Sequence, residues 1–72
     1  MKMSLGKILQ AKRQSLGISG AFIARKLNLS RQSISNKESG RTEFTFTEGL
    51  KYCNSLGMDI GELCEYLIFL DK

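Results

Sequence analysis

The stretch from Ser19 to Gly40, SGAFIARKLNLSRQSISNKESG, contains the start and stop signals of two short helices. Ser19 and Ser30 are suited to cap helix N-termini, because a serine hydroxyl accepts a hydrogen bond from an amide of the first helical turn. Asn28 and Gly40 are suited to end helices, since both residue types tolerate the left-handed backbone conformation that closes a helix. The stretch therefore predicts two helices, the second from Arg31 to Ser39.

The spacing of these two helices is that of a helix-turn-helix unit, because only residues 28–30 separate them. The small side chain of Ala24 allows the helices to cross closely. Ile23, Leu29 and Ile34 are placed to attach the pair to a core. In such a unit the second helix lies in the major groove of DNA, with its first turn toward the base edges.

Helical patterns continue on both sides of this unit and predict an all-α fold. Before it, a helix is predicted to begin after Ser4 and to end at Gly17, and its apolar residues recur at helical spacing. After it, Thr45 and Glu48 have the spacing of a capping box, so a fourth helix should begin near Phe46 and end at Gly57. A fifth helix follows Asp59. The apolar residues that define helices 1 and 5 are Leu5, Ile8, Leu9 and Leu16, and Ile60, Leu63, Cys64 and Leu67.

Length and composition favour one compact domain over residues 1–72, with the helix-turn-helix unit at about 19–40 and helices 4 and 5 at about 46–70. The sequence has no histidine, which is both the commonest general base and the commonest metal ligand. Its two cysteines form no C-x-x-C motif and are expected to be buried thiols. We therefore expect no catalytic residue, no cofactor and no metal.

The charge is distributed unevenly along the chain. Residues 1–41 contain nine basic residues and one acidic residue, whereas residues 42–72 contain two basic and six acidic residues. The first part is thus at +8 and the second at −4, which together give the overall +4. A basic half of this kind is typical of proteins that bind DNA, RNA or a membrane surface, although lysines also simply solvate helices.

Two observations make a membrane role the weaker alternative. The basic residues are spread over three predicted helices and form no single basic amphipathic face. The longest apolar run, Tyr66–Leu70, is too short to span a bilayer, and no signal peptide is evident. We therefore expect a cytoplasmic protein without a membrane partner.

The sequence resembles the lambda-repressor-like (Cro-like, Xre-type) helix-turn-helix regulators from about Leu5 to Leu67. The resemblance implies a compact five-helix fold in which helices 2 and 3 form the DNA-binding unit. Its matching segments are Arg13–Ser19, Ile23-Ala24, Leu27–Asn36, Glu38–Gly40 and Leu56–Asp59.

The resemblance implies that the first turns of helix 3 contact bases. An arginine matches the acceptors of guanine and a glutamine matches adenine, whereas the alternative is a solvated helix face or contact with phosphate alone. The base contacts that it implies are Arg31, Gln32, Ser33 and Asn36.

A second group of residues is expected to contact phosphates. At two of these positions the chain departs from the family, which usually has glutamine where Gly20 stands and an apolar or aromatic residue where Lys37 stands. We expect Lys37 on the surface, near phosphate. The predicted phosphate contacts are Ser19, Gly20, Ser35, Lys37, Ser39 and Arg41.

Family members often contain a buried ion pair between helices 1 and 3, and Arg13 and Glu38 match its positions. Glu38 is also the only acidic residue among the first 41 residues, which favours a specific partner for it. We therefore assign Arg13 to structure and exclude it from the DNA contacts.

The C-terminal segment contains aromatic residues that an ideal helix 5 would place away from its apolar face. Exposed aromatic residues on a small domain often mark an interface, and helix-turn-helix proteins commonly bind DNA as symmetric dimers. We therefore predict a homodimer interface; the alternative is that helix 5 ends early and these side chains cover their own core. The predicted interface residues are Tyr66, Leu67, Phe69 and Leu70.

Taken together, these features predict a regulator that binds double-stranded DNA in a sequence-specific manner. We expect a repressor that binds a palindromic operator as a homodimer and has no enzymatic activity. The alternative is an antitoxin or a restriction–modification controller of the same fold, which would also bind a protein partner.

Overall fold

The computed structural model of the chain describes residues 4–59, 61, 62 and 65. Within them the chain forms four α-helices, and the secondary structure of these residues includes no strand. The helices are α1 (Leu5–Ser15), α2 (Gly20–Leu27), α3 (Arg31–Ser39) and α4 (Phe46–Leu56). The fifth predicted helix falls largely on positions outside the described residues, so the structure supports four helices.

Every helix begins at the predicted cap. The hydroxyls of Ser4, Ser19 and Ser30 each accept a hydrogen bond from the backbone amide three residues later. At α4 the capping box is complete, because the Thr45 hydroxyl accepts from the Glu48 amide and the Glu48 carboxylate accepts from the Thr45 amide. These bonds satisfy amides that the first helical turn leaves free.

The helix ends also follow the predictions. Asn28 has φ 58° and ψ 42°, the left-handed conformation expected at the end of α2. Gly17, Gly40 and Gly57 have positive φ values after α1, α3 and α4. Leu16 was expected on the apolar face of helix 1 but is 47% exposed. The reason is that α1 ends at Ser15, so Leu16 follows the helix and does not share its buried face.

The core lies where all four helices meet. α1 packs on α3 and α4, and α2 packs on the same two helices. Leu9, Ile23, Ile34 and Tyr52 supply one fully buried side chain from each helix. The Phe44 ring, in the loop before α4, contacts the Tyr52 ring edge-on with 5.4 Å between ring centres.

The first turn of α1 lies very close to the end of α3. A Cβ placed on Gly6 would lie 2.1 Å from the Lys37 carbonyl oxygen and 3.0 Å from that of Glu38. Only glycine permits this backbone contact, which holds the C-terminal end of α3 against α1.

The longest described helices, α1 and α4, have 11 residues each. A helix needs about 20 predominantly apolar residues to cross the hydrocarbon core of a bilayer. None of the described helices meets the length and hydropathy that such a crossing requires.

Candidate nucleic-acid interface

The first turn of α3 lies at the surface of the helix-turn-helix unit. Arg31 and Gln32 are exposed and Ser33 is half-buried. Ile34 is completely buried and determines which side of α3 faces the core. The Ser33 amide donates to the Ser30 hydroxyl over 3.0 Å, so the turn is closed by its own serine cap.

Two predicted base-contacting residues are joined on one side of α3. The Gln32 side-chain amide donates to the Asn36 side-chain oxygen over 3.2 Å. The residues are four positions apart and therefore one turn apart on the same face. This bond orients both amides and leaves further donors and acceptors on each of them for a ligand.

Arg31 extends across the unit to the first residue of α2. The space where a Cβ on Gly20 would stand lies 2.5 Å from the Cζ atom of Arg31, 2.6 Å from Nη2 and 2.8 Å from Nε. Gly20 is buried, although it begins a helix at the surface. The structure thus brings together a predicted base contact and a predicted phosphate contact.

The other predicted phosphate contacts lie just before α2, on α3 and just after α3. Ser19, Ser35, Ser39 and Arg41 are exposed. The Ser19 hydroxyl accepts a hydrogen bond from the Phe22 amide over 3.1 Å, which leaves its own proton available for donation.

Lys37, which the sequence places on the surface near phosphate, has a side chain that is only 14% exposed. Its ammonium group donates to the Glu43 carbonyl over 3.0 Å, pairs with a Glu48 carboxylate oxygen at 3.0 Å and lies over the Phe44 ring. The pKa of Glu48 is lowered, first by the hydrogen bond from the Thr45 amide and then by Lys37. Lys37 therefore connects α3 to the start of α4.

Arg13 and Glu38 form a buried, two-pronged ion pair between α1 and α3. Arg13 Nε lies 2.9 Å and Nη2 3.1 Å from the two Glu38 oxygens, and Nη1 donates to the Ile18 carbonyl over 2.8 Å. Arg13 is 6% exposed and Glu38 1% exposed. The Glu38 hydrogen bond is the main cause of a raised Arg13 pKa. The pair connects the C-terminal half of α3 to α1, away from the exposed first turn of α3.

Tyr52 on α4 is a third member of this buried group, and sequence reasoning missed it. Its hydroxyl donates to Glu38 and lies 3.2 Å from Arg13 Nε. Burial, followed by the bond to Glu38, raises the pKa of Tyr52. One signal was available: a tyrosine on the apolar face of a helix requires a buried partner for its hydroxyl.

The four residues predicted to form the dimer interface, Tyr66, Leu67, Phe69 and Leu70, lie outside the described residues. Among the residues that the structure does describe, no group of three or more acidic or cysteine side chains is arranged to hold a metal ion.

Two helices joined by a three-residue turn, with an exposed polar first turn on the second, define a helix-turn-helix protein. A family model described as "Helix-turn-helix" matches residues 9–63, which is most of the chain. The chain belongs to this Cro/C1-type, lambda-repressor-like family of DNA-binding regulators, which confirms the resemblance seen in the sequence. Searches of curated proteins and of solved structures found no match.

Proposed function

We propose that this chain is a sequence-specific, double-stranded DNA-binding regulator that acts in the cytoplasm as a repressor and binds a palindromic operator as a homodimer. The observation that carries the proposal is the exposed first turn of α3 beside the N-terminus of α2. In helix-turn-helix proteins these are the parts that meet the major groove and the adjacent backbone.

Base recognition is assigned to four residues of α3: Arg31, Gln32, Ser33 and Asn36. The guanidinium group of Arg31 can donate two hydrogen bonds to the N7 and O6 atoms of guanine, and the Gln32 amide fits adenine. The bond between Gln32 and Asn36 favours their action as one unit, because it fixes the relative orientation of the two amides.

Phosphate binding is assigned to the N-terminus of α2 and to residues on α3 and just after it. The N-terminus of α2 offers free amides, including that of Gly20, and the positive end of the helix dipole. Ser19, Ser35, Ser39 and Arg41 are exposed and carry hydroxyl or guanidinium groups that can bind phosphate. Lys37 can join this set only by leaving Glu48, so we expect its contribution to be the smallest.

The buried contacts of α3 support recognition of sequence over purely electrostatic attachment. Ile34 and Glu38 are both fully buried, one turn apart on the inner face of α3. They hold the outer face of α3 at a fixed angle to the rest of the domain. Hydrogen bonds to base edges require such fixed geometry, whereas attraction to phosphates does not.

The homodimer is proposed through the segment that contains Tyr66, Leu67, Phe69 and Leu70. Two recognition helices related by a two-fold axis read half-sites one helical turn apart, and this symmetry explains palindromic operators. The acidic balance of residues 42–72 supports the arrangement, since that part of the chain is not attracted to DNA. A small domain that occupies a promoter acts by exclusion, which favours repression.

The experiment that tests the proposal is selection of bound duplexes from a random pool. Wild type should yield a palindromic consensus with half-site centres one helical turn apart. Arg31→Ala and Gln32→Ala should each relax the preference at one position per half-site by about 1–3 kcal/mol. A consensus that is unchanged in both variants would contradict the assigned recognition helix.

Matched controls separate base contacts from charge. Arg25→Ala removes the same charge from an exposed position of α2 that we assign to no DNA contact, so its consensus should match that of wild type. Arg41→Ala should weaken binding to all duplexes equally and reduce the slope of log K against log salt by about 1. Wild-type binding without any preference among duplexes would refute a sequence-specific regulator.

A further inference from the structure

We infer that Gly20 is a specificity-determining residue: its missing side chain leaves the space in which the Arg31 guanidinium group lies, and it thereby sets the base preference of Arg31. The inference deepens the proposed function, because it rests on Arg31 as a base contact. It adds a second role to the phosphate contact proposed for the Gly20 amide.

While the Arg31 guanidinium group occupies this position, the contact leaves no room for a Cβ at position 20. A Cβ there would lie 2.5 to 2.8 Å from three atoms of the Arg31 guanidinium group, well inside van der Waals contact. All three atoms belong to the far end of a long, flexible side chain. An alanine at position 20 would therefore displace the guanidinium group and leave the helices in place.

The Arg31 guanidinium group lies at this position because the space is free, and no polar interaction within the described residues fixes it there. The guanidinium group lies beside the first residue of α2 and belongs to the first residue of α3. Both helix N-termini carry partial positive charge, which disfavours a cation. Within the described part of the chain, no hydrogen bond or ion pair engages the Arg31 side chain. The smallest side chain is therefore enough to move it.

A displaced guanidinium group changes recognition because base contacts depend closely on distance and angle. Both N–H groups must come within about 3 Å of the guanine acceptors at the same time. The effect of a residue at position 20 should therefore appear at the base pair that Arg31 contacts, with the remaining positions of the consensus unchanged.

The test compares Gly20→Ala, Arg31→Ala and the double variant with wild type on the selected duplex and on duplexes changed at single base pairs. Gly49→Ala is the matched control, since a Cβ at that position meets nothing within 4 Å. We expect Gly20→Ala to change the preference at the Arg31-dependent base pair about tenfold. In the Arg31→Ala background the same substitution should change nothing, and Gly49→Ala should preserve the wild-type preference.

Two results would overturn the inference. One is a wild-type preference retained in Gly20→Ala, and the other is an affinity loss equal on all duplexes, which would show that position 20 acts through phosphate contact alone. Melting temperatures check that the variants fold, and Gly20→Ala should melt no lower than wild type. If the melting temperature falls, the helices have moved instead of the Arg31 side chain, and the inference is also overturned.

Nuclear magnetic resonance separates this inference from the proposed function, because it examines the free protein. The chain has four arginines, and Arg31→Lys assigns the Nε–H resonance of Arg31. We expect a nuclear Overhauser effect between that proton and the Gly20 Hα protons. If this Overhauser effect is absent, the contact between Arg31 and Gly20 is overturned whatever the DNA result. If it is present but the protein binds DNA without sequence preference, the proposed function is overturned and the contact is retained.

Discussion

Replacement of the buried group of Arg13, Glu38 and Tyr52 with apolar residues should change stability in a definite order. The variants are Arg13→Met, Glu38→Leu, the double variant, and the triple variant that adds Tyr52→Phe. Each single substitution leaves one buried charge without its main partner. The double variant removes both charges, and the triple variant also removes the hydroxyl that donated to Glu38.

The expected magnitudes follow from the burial of the pair. Arg13 is 6% exposed and Glu38 1% exposed, so each single variant should lose about 3–5 kcal/mol of unfolding free energy. That is a large share of the roughly 4 to 11 kcal/mol typical for a domain of this length. The double variant should recover most of the loss. It still leaves the Tyr52 hydroxyl unpaired, which costs about 1–3 kcal/mol that the triple variant should regain.

The assay is urea denaturation followed by far-ultraviolet circular dichroism, with the slope m compared among variants to check that unfolding stays two-state. We expect wild type and the triple variant to be the most stable, then the double variant, then the two single variants. A double variant no more stable than the weaker single variant would refute the energetic coupling of the pair. A triple variant no more stable than the double would refute the role of the Tyr52 hydroxyl.

Three further predictions concern backbone contacts and pH. Gly6→Ala should lower the free energy of unfolding by about 1–3 kcal/mol in thermal melts, because its Cβ meets the Lys37 carbonyl oxygen at 2.1 Å. The control Gly49→Ala should raise the free energy of unfolding by up to about 1 kcal/mol, and equal effects of the two substitutions would contradict the close contact at Gly6. The pKa of Tyr52 is raised in the folded state, so its contribution to stability is complete below the unfolded pKa of about 10 and is lost as pH rises toward the folded value. Urea titrations should therefore show that the difference in unfolding free energy between wild type and Tyr52→Phe shrinks above pH 10. Asn28→Ala should cost about 1–2 kcal/mol in urea titrations because Asn28 has φ 58°, whereas Asn28→Gly should stay near wild type; the reverse order would contradict the left-handed turn.

Local features of the fold could be predicted from the sequence because they depend on neighbouring residues alone. A serine or threonine cap bonds to an amide three residues away, so Ser19, Ser30 and Thr45 could be located without knowledge of the rest of the chain. The same holds for Asn28, whose side chain lowers the cost of the left-handed conformation. These signals also located α3 and its first turn.

Contacts between distant residues could be predicted only where the family resemblance supplied a pairing. Arg13 and Glu38 were paired in this way, and the structure places them in contact. Tyr52 was missed because its membership depends on how α4 packs against α1 and α3. The sequence places Lys37 on the surface near phosphate, and its ion pair could not be predicted because its partner Glu48 belongs to another helix, 11 positions along the chain.

Neighbouring residues and composition thus predicted the limits of the four described helices, the helix-turn-helix unit and the basic character of the half that contains it. The packing of the helices set the contacts of the long polar side chains: Tyr52 with the buried ion pair, Lys37 with the start of α4, and Arg31 with the backbone of Gly20. The two kinds of interaction differ in range. Caps and turns act over three or four residues, whereas the position of a long charged side chain depends on the space and the partners that other helices provide.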